Sequence, residues 1–509
     1  MSTRDLTIVL AGSLPARTLR LRRAAWIGLL AFALLGPPPA RGQSDSSTTG
    51  APHASPLQFS GSWRLRVEGW SWFEGNAGNS DYAFPHSLLR LAIRQEGKWF
   101  EWQVELAQAA ILGLPADALA PAPQGQLGLG GTYLAANGAR QNNASAFVKQ
   151  AYLRFKALEH ASVRLGRFEY FDGAEIAPKD ATLAALVQTR IAQRLIGNFG
   201  WAAVGRSYDG LQLAYNSGKA NFTFVGARPT RGVFQTDAMG DLDVDLYYGA
   251  LTIPVQAGRN SGRLRLFGLG YIDHRTAVLK TDNRPQAARA ADRGQIRIGT
   301  YGADYVHVLD ASARGKFDVV LWGALQTGSW GVQRQRAAAF VGELGWQPAV
   351  RFLQPWLSAG YSYGSGDGNP NDSRHGTFFQ VLPTPRPYAR FPFYNMENNQ
   401  DFYGALNLRP HPKLALRSEM HALRLSSSKD LWYQGGGAFQ RQTFGYVGRP
   451  SNGARSLANV WDLSADCQIK RALGVGLYYG YAWGKSVIAS IYPRDRDGQF
   501  AYLETNLRF

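Results

Sequence analysis

The last ten residues of the chain, 500–509, alternate between apolar and polar side chains and end on an aromatic residue. Successive residues of a strand point to opposite faces. One face here holds Ala501, Leu503, Thr505, Leu507 and Phe509, and the other holds Tyr502, Glu504, Asn506 and Arg508. A strand between lipid and a watery lumen has this pattern. The segment therefore resembles the closing strand of a bacterial outer-membrane β-barrel, although an ordinary half-buried edge strand would look the same.

The amino terminus agrees with export from the cytoplasm. Four arginines between Arg17 and Arg23 precede the apolar run 24–35, and small residues and prolines follow up to Gly42. This order predicts a secretory signal peptide over residues 1–42. The run is short for the roughly 20 residues of a transmembrane helix, which is the alternative. Residues 43–58 read as a flexible periplasmic lead-in, and residues 59–509 as the barrel.

Connector lengths give the topology. Tight connectors lie near 96–98, 157–161, 217–219, 257–261, 309–314, 349–353, 410–412 and 470–473. Longer ones lie near 74–87, 110–146, 169–203, 229–242, 275–294, 327–336, 365–400, 426–456 and 485–499. Alternation of short and long connectors is typical of transmembrane barrels with short periplasmic turns and long extracellular loops. We therefore predict an all-β, antiparallel transmembrane barrel of about eighteen strands in a Gram-negative outer membrane, with sixteen strands left open.

Composition supports this prediction and argues against a disulfide-stabilised or a nucleic-acid-binding protein. The single Cys467 rules out an internal disulfide framework, and its alternation places it on the lipid face. The formal net charge of +18 favours polyanions, including lipopolysaccharide at the membrane surface. It does not imply nucleic acid, because the signal peptide removes the chain from that compartment. No cofactor or metal is expected.

Arginines recur at positions that the predicted registers place inside the barrel. Arg64 and Arg66 lie beside Arg90 and Arg94 on the paired strand, and Arg263 and Arg265 are expected to face Arg297 across a hairpin. Neighbouring guanidiniums repel one another unless an anion or an acid compensates them. Arginine also binds carboxylates in bidentate fashion, so the pattern predicts a pore that passes anions. Pairing with inward acids that brace the wall is the alternative for each one. The predicted pore-lining set is Arg64, Arg66, Arg90, Arg94, Arg154, Arg167, Arg206, Arg263, Arg265, Arg297 and Arg417.

Three long loops could narrow the pore. Residues 110–146 have the composition of a flexible lid, and residues 180–196 have helical spacing. The segment 365–372 is rich in oxygen ligands that could hold Ca²⁺, but an EF-hand's glycine and terminal glutamate are missing. A plain turn cluster is favoured there.

Several motifs fall in the same order as in a known family. They are Gly166–Glu169, Arg194–Gly197 with Trp201, Gly205–Gly210, Ser365–Pro370, Gly376–Pro383, Leu431–Tyr433 and Trp461–Leu463. Over residues 59–509 the chain resembles the alginate-export family of outer-membrane barrels, and it looks nearer to the broad family than to its alginate-secreting branch. The resemblance implies an eighteen-stranded barrel. It also implies export of acidic polysaccharide through an arginine-rich constriction, with a periplasmic scaffold protein as a partner. Arg167 and Arg206 lie in the family-like motifs and are expected to anchor the constriction.

The sequence predicts a channel for anionic solutes, above all acidic oligo- or polysaccharide. A general diffusion porin for small organic or inorganic anions is the alternative. An enzyme is not expected: the histidines lack the serine spacing of outer-membrane phospholipases, and Asp273-His274 lacks the aspartate pair of barrel proteases.

Overall fold

The structure, a computed structural model, describes residues 56–509, with only the backbone of residues 157 and 158. The predicted signal peptide and most of the predicted lead-in lie outside the described residues. The strands are β1 (Gln58–Ser71), β2 (Asp81–Glu96), β3 (Phe100–Ile111), β4 (Asn143–Leu158), β5 (Ala161–Phe168), β6 (Tyr208–Asn216), β7 (Asn221–Pro229), β8 (Val244–Ala257), β9 (Asn260–Asp273), β10 (Ile296–Asp310), β11 (Lys316–Trp330), β12 (Gln333–Gln347), β13 (Trp356–Gly364), β14 (Arg374–His375), β15 (Asn399–His411), β16 (Leu414–Leu425), β17 (Leu431–Gly435), β18 (Tyr446–Pro450), β19 (Ser456–Lys470), β20 (Leu473–Gly484) and β21 (Asp497–Arg508).

Eighteen of these strands form a closed antiparallel barrel. Each wall strand pairs with its neighbours in the chain, and β1 pairs with both β2 and β21, which closes the sheet. The two-residue strand β14 lies beside β12, and β17 and β18 form a separate hairpin. The prediction of an eighteen-stranded barrel is confirmed.

The wall has the two faces that its sequence alternation predicts. On β12 the outward Leu344 is 67% exposed, whereas the adjacent inward Glu343 is 3% exposed. Outward residues on other strands, such as Leu325 and Tyr301, are exposed to a similar degree. An apolar outer band is the surface that lipid requires.

Each of the eight predicted tight turns joins two consecutive wall strands, but one predicted long loop is wrong. Residues 327–336 belong almost entirely to β11 and β12, and only Gly331 and Val332 connect them. Gly331 adopts a φ of 60°, which suits a two-residue hairpin. The alternation of the flanking residues continues the strands up to this turn.

The long loops contain four short helices, of which the first, second and fourth bury side chains, whereas the third buries none. The helices are α1 (Gly128–Ala136), α2 (Ala181–Leu186), α3 (Gln286–Ala291) and α4 (Ser486–Ile491). The helix predicted within 180–196 is confirmed: Asp180 caps α2 by accepting from Leu183 N, and a π-helical turn over Val187–Ile191 continues it. The oxygen-rich segment is a turn cluster, in which Asp367 Oδ1 accepts from Asn369 N and Asp367 Oδ2 from Gly376 N.

Residues 110–146, predicted as a lid, include α1, which packs against the top of β2. Tyr82 on β2 donates a hydrogen bond to Leu127 O, and the ring of Tyr133 lies edge-on to Phe84 with centroids 5.9 Å apart. Tyr133 and Leu134 are fully buried. This part of the loop is therefore part of the packed interior.

Two glycines with similar backbone angles test how tightly the inner loops pack. Gly437 has a φ of 78°, and an added Cβ would lie 2.2 Å from Val381 O on a neighbouring loop; Gly453 has a φ of 77° and open space around it. Both alanine variants incur the left-handed penalty of about 1–2 kcal/mol. We expect Gly437→Ala to lower the free energy of unfolding by about 2 kcal/mol more than Gly453→Ala, because of the steric overlap. Denaturant unfolding in detergent measures both, and equal losses would mean that the loops yield freely.

Candidate functional site

The inner loops enclose a cavity of about 590 Å³. It is lined by α1, by parts of loops 365–398 and 426–455, and by aromatic and amide side chains: Trp72, Gln126, Phe199, Trp201, Phe234, Tyr394, Gln434, Phe439, Gln440, Gln442 and Phe444. Among the lining residues, Trp201, Arg386 and Tyr394 contact the barrel wall. We call this cavity the vestibule, and Trp201 with Arg386 its floor.

The floor is a stack of guanidiniums and aromatic rings. The guanidinium carbon of Arg386 lies 4.7 Å from the centre of the Trp201 ring and 4.3 Å from that of Tyr478. Arg66 faces the same Trp201 ring at 4.6 Å, and Arg386 Nη2 donates to Tyr502 Oη at 2.9 Å. Within residues 56–509, Arg386 Nη1 has no hydrogen-bond partner. Arg386 thus keeps one buried donor without a partner beside the vestibule.

Arg64 and Arg66, two of the four neighbouring arginines predicted on β1 and β2, face the lumen and hold the loop segment 200–202. Arg64 donates to Gly200 O at 2.5 Å and also to Ala202 O, and Arg66 donates to Trp201 O at 2.9 Å. Arg66 also forms an ion pair with Glu504 on β21. These two arginines position the floor of the vestibule.

The other two arginines of this group, on β2, are paired with acids. Arg90 forms ion pairs with Glu105 on β3 and with Glu169, the latter at 2.6 Å. Arg94 lies nearer the short-turn end, 2.9 Å from Glu96. Wall acids therefore compensate both guanidiniums.

Three further predicted arginines, Arg154, Arg263 and Arg265, also face inward and are paired with acids. Arg154 Nη1 lies 3.3 Å from Glu101 Oε2. Both Arg263 and Arg265 are fully buried and share Asp304 on β10.

Arg417 faces inward as well. It pairs with Glu419 and donates to Pro387 O at 3.1 Å. Through this carbonyl it contacts the loop that carries Arg386.

The prediction that Arg297 and Arg167 line the pore is wrong. On β10 the inward face holds Ile296, Ile298 and Asp304, so that Arg297 points outward, where it donates to Gln295 Oε1 at 2.9 Å. Arg167 shares its face of β5 with the exposed Leu165 and forms a two-pronged ion pair with Asp209. A shift of one residue in a strand moves a side chain to the other face. Of the predicted group Arg263, Arg265 and Arg297, only the first two therefore face the interior.

Arg206 lies in the interior as a link between loops. It is fully buried, and its guanidinium donates to four backbone carbonyls: Gly197, Leu382, Gly436 and Ala438. These carbonyls belong to loops 169–207, 365–398 and 426–455. Arg206 therefore links these loops, and its role at a constriction stays a prediction.

Arg386 and Trp201 were not singled out as site residues from sequence. The signal was present: between Gly376 and Met396, Arg386 and Arg390 are the only charged residues. Arg390 donates to Ser464 Oγ on the wall. Two arginines in an otherwise uncharged segment of this loop indicate that their positive charge has a role there.

Two acids in the same loops have raised pKa values. Burial raises the pKa of Asp430 to about 6 and that of Glu397 well above its ordinary value. Burial thus favours the neutral form of both carboxyl groups.

The outward position of Arg297 gives a simple prediction. Arg297→Gln should leave the ratio of anion to cation permeability of the channel unchanged, because the side chain does not contact the lumen. Reversal potentials under a salt gradient measure this ratio. A clear loss of anion preference would mean that this strand has the opposite register.

Within the described residues, no helix is both long enough and apolar enough to cross a membrane. A comparison with curated proteins gives no match. Among solved structures, OccK9 (OpdG) of Pseudomonas aeruginosa superimposes with a TM-score of 0.54 at 10% identity, over 89% of this chain and 99% of that one. OccD3 (OpdP) of the same organism gives 0.53 at 10% identity over 89% and 91%, and its outer membrane protein OpdK gives 0.51 at 8% over 89% and 99%.

The closed barrel and its inward loops define an outer-membrane channel of Gram-negative bacteria. A family model described as alginate export matches residues 130–484. The chain belongs to this family.

Proposed function

We propose that the channel passes anionic solutes, above all acidic oligo- or polysaccharides. The observation that carries this proposal is the free Nη1 of the Arg386 guanidinium at the floor of an aromatic-lined vestibule. A guanidinium held between the rings of Trp201 and Tyr478 loses little freedom on binding a carboxylate. Its hydrogen bonds to an anion are charge-assisted.

The rest of the vestibule suits a carbohydrate better than a bare ion. Its aromatic rings offer flat apolar surface, and its amides offer hydrogen bonds in orientations that hydroxyl groups can use. Its volume of about 590 Å³ lies in the range of small-molecule sites, about 300–1,000 Å³. A few sugar residues of an acidic chain would fill it.

Export of a whole polymer would require a periplasmic partner, and we propose a scaffold protein in that role. Outer-membrane lipid and lipopolysaccharide surround the barrel. A general diffusion porin for small anions is the second candidate, supported by the similarity of the fold to the outer membrane protein OpdK of Pseudomonas aeruginosa. It would use the same arginine floor without sugar stacking.

We propose no catalytic activity for the chain. Asp273 is engaged by Arg275 and by the Tyr271 hydroxyl, and His274 Nε2 lies 2.9 Å from Asp245 Oδ2. This pair thus serves to fix the loop at the end of β9.

Single-channel recording in planar bilayers under asymmetric salt tests the proposal. Anion preference with block by oligouronates that strengthens with chain length is the expected result. Anion current that small dicarboxylates reduce as well as long uronates do would favour the general porin. Cation preference would contradict both functions.

A further inference from the structure

A group of three potential metal ligands lies in the barrel wall, outside the set of residues proposed to bind anions. Glu419 and His421 on β16 and Asp462 on β19 face inward, and each is 1% exposed. One ligand atom from each residue can be chosen so that all three lie within 4.8 Å of one another. Ligands bound at about 2.1 Å to one tetrahedral ion lie about 3.4 Å apart. The widest separation among the three atoms would therefore close by up to about 1.4 Å on binding.

The atoms that would bind are free of other partners. Within residues 56–509, Glu419 Oε2, His421 Nε2 and Asp462 Oδ2 have no hydrogen-bond partner. The last two lie 3.8 Å apart, too far for a hydrogen bond. Buried polar atoms are normally satisfied, so three unsatisfied atoms that converge on one point indicate a ligand.

A second group of contacts orients these side chains. His421 Nδ1 lies 2.8 Å from Asp401 Oδ2, which leaves Nε2 to face Asp462. A carboxylate that holds the far nitrogen of a histidine is the usual support of a metal-binding imidazole. Tyr478 donates to Asp462 Oδ1, and Arg417 and Arg190 donate to Glu419 Oε1. Each carboxylate is thus fixed by one oxygen while the other remains free.

The surrounding charges leave room for a divalent cation. Glu343 and Glu419 pair with the guanidiniums of Arg190 and Arg417, whereas Asp401 and Asp462 face His421. With a neutral imidazole this group carries two negative charges. Arg386, which stacks on Tyr478 behind Asp462, lowers that excess from farther away.

We propose that Glu419, His421 and Asp462 bind one divalent transition-metal ion of the kind that imidazole and carboxylate ligands prefer, with Zn²⁺ favoured over Mn²⁺. One nitrogen and two oxygens form a donor set that Zn²⁺ accepts, and affinity for such sites rises from Mn²⁺ to Zn²⁺. The buried Tyr394 hydroxyl, which also lacks a partner, lies on the vestibule side of His421, with ring centres 5.7 Å apart. The ion would join β16 to β19 behind the vestibule.

Metal binding to the full chain tests the proposal. The protein is purified in detergent without a polyhistidine tag, treated with EDTA and titrated with Zn²⁺ against a chromogenic competitor. One Zn²⁺ per chain is expected, with at least tenfold weaker binding in Asp462→Asn, which keeps the side-chain volume, and in His421→Gln. His375→Gln is the matched control, since His375 is also buried but its Nδ1 contacts Gln335 elsewhere in the barrel. It should bind Zn²⁺ like the unaltered protein.

Three outcomes would overturn the proposal. They are no stoichiometric Zn²⁺ binding by the unaltered chain, equal affinity in all variants, or tighter binding of Ca²⁺ than of Zn²⁺. The first does not depend on any variant folding. The ion selectivity of the same variants is recorded in parallel. A variant that loses Zn²⁺ binding but keeps its preference for anions would show that the metal site and the proposed channel function are independent.

Discussion

Arg206→Ala should detach the inner loops from one another and produce the largest loss of stability of any single substitution considered for this protein. The variant removes a fully buried guanidinium and leaves the carbonyls of Gly436 and Ala438 without their donor. The carbonyls of Gly197 and Leu382 lose one of two donors, since Tyr208 Oη and Gly197 N still donate to them. An unsatisfied buried acceptor costs about 1–3 kcal/mol. Allowing for relaxation, we expect the free energy of unfolding to fall by about 3–5 kcal/mol, measured by denaturant titration in detergent.

The same variant should change the current through the channel. Loops 169–207, 365–398 and 426–455 meet at Arg206, so that their release should increase both conductance and current noise. Arg228→Ala is the control: this arginine is exposed at the outer rim and pairs with Asp245 at 2.7 Å. An exposed pair contributes less than about 1 kcal/mol. If Arg206→Ala and the control had the same free energy of unfolding and the same current noise, contacts other than those of Arg206 would hold the loops together.

Arg386→Gln should abolish most of the block by acidic oligosaccharides. The variant removes the guanidinium that is free to bind a carboxylate but keeps a polar side chain at the floor of the vestibule. Loss of one charge-assisted contact of about 1.5–3 kcal/mol corresponds to at least a tenfold rise in the half-blocking concentration of an oligouronate. The preference for anions over cations should fall in the same recordings.

Two further variants separate recognition from bulk charge. Arg409→Gln removes the same charge at an exposed position near the short-turn end of β15, away from the vestibule, and should leave block by oligouronates unchanged. Arg386→Lys keeps the positive charge but loses the planar guanidinium that binds a carboxylate through two hydrogen bonds. The preference for anions over cations should therefore persist, while block by oligouronates weakens. Equal effects of Arg386→Gln and Arg409→Gln would mean that net charge alone controls the channel.

The candidate site divides into residues that sequence could find and residues that it could not. Arg64 and Arg66 were placed correctly on the inward face because the alternation of β1 is unambiguous over its length. Arg297 was misplaced because one error in the parity of β10 was enough to reverse its direction. Arg386 and Trp201 lie in loops, where no periodicity specifies where a side chain points.

By itself the sequence determined the barrel, its strand number and the end at which its long loops lie. These properties are local: each strand has one face toward lipid and one toward the interior, and each connector shows its own length. Only the tertiary structure decided what the interior does. Arg90 pairs with wall acids, Arg206 donates to loop carbonyls, and Arg386 Nη1 has no partner within the described residues. Which of these holds for a given arginine depends on residues far away in the chain. No short-range pattern records such contacts.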